Sequence, residues 1–80
     1  MAEPTKEIYE LQYMLRKIAL TTGEVPLITP DGIYDAVTRE AVRTFQASNS
    51  LEPTGNVNKE TWDSIFEKYK ESVYASSVGE

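Results

Sequence analysis

Cysteine and histidine are both missing from the 80 residues of this chain. Without cysteine, neither a disulfide nor a thiolate metal site can staple the fold, so packing and helix caps must hold it together. Without histidine, the usual general base near neutral pH is absent, and the two absences together remove the usual zinc ligands. Asp and Glu alone rarely build a transition-metal site, so neither a metal nor a cofactor is expected. The remaining acid–base material is carboxylate pairs such as Glu7 with Glu10 or Asp31 with Asp35, and nothing in the sequence places either pair in a cleft. The chain reads as non-catalytic.

Basic residues are scarce as well. Lys and Arg number 8 against 13 Asp and Glu, for a net charge of −5 and a pI of about 4.7. Nucleic-acid binding needs clustered cations that displace counterions, so no nucleic-acid partner is expected. No apolar run approaches the roughly 20 residues that span a bilayer, and the opening Met1-Ala2-Glu3-Pro4-Thr5-Lys6-Glu7 does not read as a signal peptide. The expectation is a soluble chain with no membrane partner, whether whole, cut from a larger protein or exported by a route that needs no signal. A chain of 80 residues supports one small core and one domain.

What is present is a phrase that nearly repeats. Asp31-Gly32-Ile33-Tyr34-Asp35-Ala36-Val37-Thr38 is answered by Thr54-Gly55-Asn56-Val57-Asn58-Lys59-Glu60-Thr61. In each copy glycine permits the positive φ of a tight turn, Asp35 or Asn58 is placed to cap a helix, and a threonine three residues later can reach back. Ahead of each copy stands an apolar residue followed by glutamine, Leu11-Gln12 and Phe45-Gln46. The chain is therefore read as two related helix-turn units.

Apolar spacing predicts three amphipathic helices. The first opens at a Thr5 cap, carries Ile8, Leu11, Leu15 and Ile18, and ends near Leu20. A connector over 21–30, broken by Gly23, Pro26 and Pro30, is expected to tuck Val25, Leu27 and Ile28 inward. The second helix runs from about Ala36 to Ser48 with Ala41, Val42 and Phe45 on its inner face. The third runs from Lys59 to about Tyr69 with Trp62, Ile65, Phe66 and Tyr69 inward, and Leu51 anchors the turn before it. The predicted organisation is an N-terminal arm over 1–6, an all-α three-helix bundle over 7–69 and a flexible tail or linker over 70–80.

The ordered set Leu11-Gln12, Asp31-Gly32-Ile33-Tyr34, Thr38, Ala41-Val42, Phe45-Gln46, Leu51, Thr54-Gly55, Val57-Asn58 and Thr61-Trp62 resembles the peptidoglycan-binding domain family, the three-helix modules attached to bacterial cell-wall hydrolases. Two departures stand out: Asp35-Ala36 follow the tyrosine where the family usually has glycine and often proline, and the connector before Asp31 is longer than is common. The resemblance implies a non-catalytic module that binds the stem peptide or glycan of peptidoglycan and localises a covalently attached hydrolase or structural domain at the cell wall, acting as a monomer. Its implied ligand residues are Asp31, Tyr34, Asp35, Arg39, Arg43, Gln46 and Asn58, with helix N-termini offering amides and Tyr34 offering a ring. Plain structural readings stand beside these: Tyr34 as a wedge between helices, Gln46 together with Gln12 as pins for loop backbone, Asp31 and Asp35 as turn and cap residues, and Arg39 and Arg43 as part of a solvated face. The acidic charge sustains an alternative function, a protein interaction or scaffold module that kept the fold and lost peptidoglycan binding.

Overall fold

A computed structural model describes residues 4–78 as three helices, α1 (Lys6–Thr22), α2 (Ala36–Ser48) and α3 (Lys59–Val78). The helix starts follow from side-chain caps. Thr5 accepts the Ile8 N–H at 3.1 Å, Asp35 accepts that of Thr38 at 3.1 Å, and Asn58 accepts that of Thr61 at 2.8 Å. Each cap engages one of the amides that a helix start leaves unpaired. At the other end of α1, Gly23 takes the left-handed conformation and its N–H returns to the Ala19 carbonyl at 3.0 Å. The helix therefore ends two residues past the expected Leu20.

The core collects Leu11, Leu15 and Ile18 from α1, Ala41, Val42 and Phe45 from α2, and Ile65 from α3. Packing is most extensive between α1 and α3. The connector contributes Val25 and Ile28, while Leu27 points outward at 55% exposure, contrary to expectation. Ile28 takes the inward place of this neighbouring pair and leaves Leu27 to solvent. Arg16 of α1 fastens the connector by donating to the Ile28 carbonyl at 3.0 Å.

Two expectations for α3 need correction. Phe66 is 44% exposed and lies at the rim of the core, because Ile65 alone takes the central position. The helix also runs on past Tyr69 to Val78, so residues 70–78 are helical where a tail was expected. The sequence offers no proline or glycine to stop it before Gly79, Lys70 pairs with Glu67 at 3.3 Å, and Ser72 is buried. The arm residues 1–3 and the final 79–80 lie outside the described residues.

Candidate functional site

Both repeat units close on a buried glutamine. Gln12 is 1% exposed. Its amide oxygen accepts the Asp31 and Gly32 N–H groups, each at 2.8 Å, and its nitrogen donates to Thr38 Oγ1 at 2.8 Å, the Ile33 carbonyl at 2.9 Å and Asp31 Oδ1 at 3.0 Å. Gln46, also 1% exposed, repeats the arrangement one unit later. Its oxygen accepts the Gly55 N–H at 2.8 Å, and its nitrogen donates to the Asn56 carbonyl at 2.9 Å and Thr61 Oγ1 at 3.0 Å. A primary amide can satisfy a donor and an acceptor of one turn at once, which is why glutamine serves here. Both glycines of these turns have positive φ, 81° at Gly32 and 80° at Gly55. At Gly55 an added Cβ would also sit 2.7 Å from Arg39 Cγ.

These locks engage several of the expected ligand residues. Gln46 is sealed inside the fold with its amide engaged. Asp35 and Asn58 spend side-chain oxygens on helix caps. Asp31 accepts from Ile33 N–H and from Gln12, and these bonds, the Ile33 one foremost, hold its carboxyl below the usual carboxylate range. Asp31 and Asp35 border a shallow depression beside Leu27 and Val37, apart from Tyr34. Arg43 pairs with Glu40 at 2.9 Å on the open face of α2.

Tyr34 and Arg39 are brought together. Tyr34 is half-buried against the core, and its hydroxyl donates to the Gly55 carbonyl, tying the first turn to the second. Burial pushes the Tyr34 phenol above its ordinary pKa, and the Arg39 charge opposes that shift. The Arg39 guanidinium lies 5.6 Å from the centre of the Tyr34 ring and donates to Asn56 Oδ1 at 2.8 Å. Around them opens a groove of about 460 Å³ with Ile8, Leu11, Val57 and Trp62 as its apolar lining and Glu7 at its edge. It offers one oriented cation, one carboxylate and a ring edge, a set suited to a small zwitterionic or carboxylate-bearing ligand.

Trp62 also lines a second opening, a cleft of about 400 Å³ between α1 and α3. Its walls are Tyr9, Tyr13, Met14, Phe66 and Tyr69, with Glu10 as the charged neighbour. The Tyr13 and Tyr69 rings lean together at 6.1 Å between centroids. Sequence reasoning had assigned the α3 aromatics to the core and passed over Tyr9 and Tyr13. The available signal was the spacing of Tyr9, Tyr13 and Leu20 on the side of α1 opposite Leu11, Leu15 and Ile18.

Among the described residues no group of acidic side chains is placed to hold a metal ion, and no helix is long and apolar enough to cross a membrane. No solved structure matches the chain. A family model described as "Putative peptidoglycan binding domain" matches residues 4–65, an interval that takes in both glutamine-locked turns and the groove between them. That family is a binding domain, not itself catalytic, and is associated with the cell wall. With most of its length matched, and with the repeated turns that the match spans each closed by the same buried amide, this chain belongs to the peptidoglycan-binding domain family.

Proposed function

We propose that this domain holds peptidoglycan through the groove at Tyr34 and Arg39, without chemistry of its own, and so keeps a covalently attached hydrolase or structural domain at the wall. The observation that carries the reading is the presentation of Arg39: an exposed guanidinium fixed by a ring and by Asn56 above an apolar floor. A cation restrained in this way loses little freedom on meeting a stem-peptide carboxylate. Glu7 at the groove edge suits an amino group of the same peptide, while Trp62 and Tyr34 supply contact area. Asp31, Asp35, Arg43 and Asn58 shape or flank the turns and have no part in this contact. Affinity of a single shallow groove is weak, and tethering makes it useful by raising the local concentration to about the millimolar range.

The net charge of −5 favours one second reading, a protein interaction or scaffold module, because the wall itself carries many carboxylates. Screening over a Debye length of about 8 Å at physiological salt limits that repulsion. Retention on purified, teichoic-acid-free sacculi at physiological salt separates the two. The wild type is expected to be retained, and Arg39→Met, which keeps the aliphatic stem over Gly55, is expected to wash through while preserving its circular dichroism. Absence of wild-type retention at high protein concentration would overturn peptidoglycan binding in favour of the scaffold reading.

A further inference from the structure

Of the eight exposed large apolar side chains among the described residues, six lie on α1 and α3: Tyr9, Tyr13, Leu20, Phe66, Val73 and Tyr74. The α1 members Tyr9, Tyr13 and Leu20 belong to a stripe at positions 9, 13, 16 and 20, whose third position is Arg16, the residue bonded to the Ile28 carbonyl, and the α3 seam falls at 62, 66, 69 and 73. Both follow the 4-3-4 spacing with which one helix presents a continuous seam to another. The two seams border the same aromatic cleft. Such a surface fits a helix lying along it.

We propose that the occupant is a second copy of this chain, with α1 of each copy lying antiparallel in the α1–α3 cleft of the other. Charge supports this choice. Glu10 lies in the N-terminal half of α1 and Lys17 in the C-terminal half, on the same flank of the stripe. An antiparallel two-fold pairing centred between Tyr13 and Met14 sets Glu10 of each copy against Lys17 of the other, twice. The same operation brings the two Tyr13 rings together near the axis. Area is consistent with it: half-exposed aromatic and aliphatic side chains on this scale bury roughly 500–700 Å² per copy, or about 1,000–1,400 Å² in all, which reaches the threshold for a specific though small interface.

On α1 the pairing and the proposed ligand groove use different faces, while Trp62 of α3 borders both. Glu7, Ile8 and Leu11 line that groove, and at 100° per residue they lie on the far side of α1 from Tyr9, Tyr13 and Leu20. A dimer would therefore present two grooves to a polymer that repeats the same stem peptide. That consequence rests on the peptidoglycan reading, but the dimer itself does not.

Sedimentation equilibrium of the full chain in ligand-free buffer, from about 10 µM to 1 mM, tests the proposal over the range expected of a small interface. Reversible dimerisation is expected. Tyr13→Glu should abolish it without loss of helix content, since that ring is already 46% exposed. Glu10→Lys and Lys17→Glu should each weaken it at least tenfold, and the double reversal should restore it. Because the chain has no cysteine, Tyr13→Cys should form an intermolecular disulfide under mild oxidation far faster than Val37→Cys on α2. A wild type that stays monomeric at 1 mM would overturn the proposal, as would association unaffected by Tyr13→Glu. Monomeric protein whose Tyr13 and Phe66 amides shift with soluble glycan strands would assign the cleft to sugar. Sacculi retention is read separately with Arg39→Met, so loss of either property is distinguishable from loss of the other.

Discussion

Replacing Gln12 with methionine tests the central feature of the fold. Methionine has nearly the same length and shape, so the cavity cost is small and the loss is polar. The Gly32 N–H, which lies buried against the Gln12 oxygen, loses its only side-chain partner, and the partly buried Asp31 N–H loses its partner as well. Thr38 Oγ1 is less affected, because the Ile33 carbonyl remains within 3.4 Å. An orphaned buried group costs about 1–3 kcal/mol, and a partly hydrated one less, so the expected penalty is about 2–4 kcal/mol. Against the total of about 4–12 kcal/mol usual for 80 residues, that is a large share. Urea unfolding followed by Trp62 fluorescence should show the midpoint falling by about 2–4 M if m is about 1 kcal/mol/M. A penalty below about 1 kcal/mol would refute the reasoning. It would mean that the Thr5 N–H to Gly32 carbonyl bond, at 2.9 Å, is enough to hold the turn.

Three further outcomes are expected. Gly55→Ala combines a positive φ with a Cβ 2.7 Å from Arg39 Cγ, so it should cost about 1–2 kcal/mol in urea unfolding and reduce sacculi retention by displacing Arg39. Tyr34 has a folded pKa above its unfolded value of about 10, so its contribution is complete below that pH and is lost as pH rises through the folded pKa. Unfolding measured at increasing alkaline pH should show the wild type losing more stability than Tyr34→Phe, which itself costs about 1 kcal/mol at neutral pH for the lost hydroxyl bond. Phe45→Ala empties a fully buried site shared by all three helices and should cost about 3–5 kcal/mol, leaving the domain largely unfolded by circular dichroism at 37 °C.

The fold was legible where the physics is local. Caps at Thr5, Asp35 and Asn58, turns at Gly32 and Gly55, and the bounds of α2 depend on a few neighbouring residues, and each stands where spacing placed it. The site was less legible because its members depend on tertiary placement. Gln46 looks the same in sequence whether its amide faces a ligand or a loop, and only the return of residues 55–56 onto α2 decides it. Arg39 and Arg43 sit one turn apart and read alike, yet one reaches Asn56 in the next turn and the other only Glu40. The aromatic cleft escaped because an amphipathic pattern assigns each ring to a core, whereas α1 carries apolar residues on two faces and only one can be inward. The end of α3 was missed for a simpler reason: a polar helix face and a polar tail have similar composition.

Where the buried amides act also determines what the domain can absorb without harm. The first unit is closed at residues 31–33 by Gln12, and the second at residues 54–56 by Gln46, so each turn takes its position from a helix and not from the chain leading into it. Length in the first connector is thereby uncoupled from the aim of Tyr34. Between the buried Val25 and Ile28, the exposed Pro26-Leu27 stretch is a seam at which segments can be inserted or exchanged while the groove keeps its shape. A module of 80 residues can in this way diversify one edge of its surface and leave the groove proposed to meet the wall unchanged.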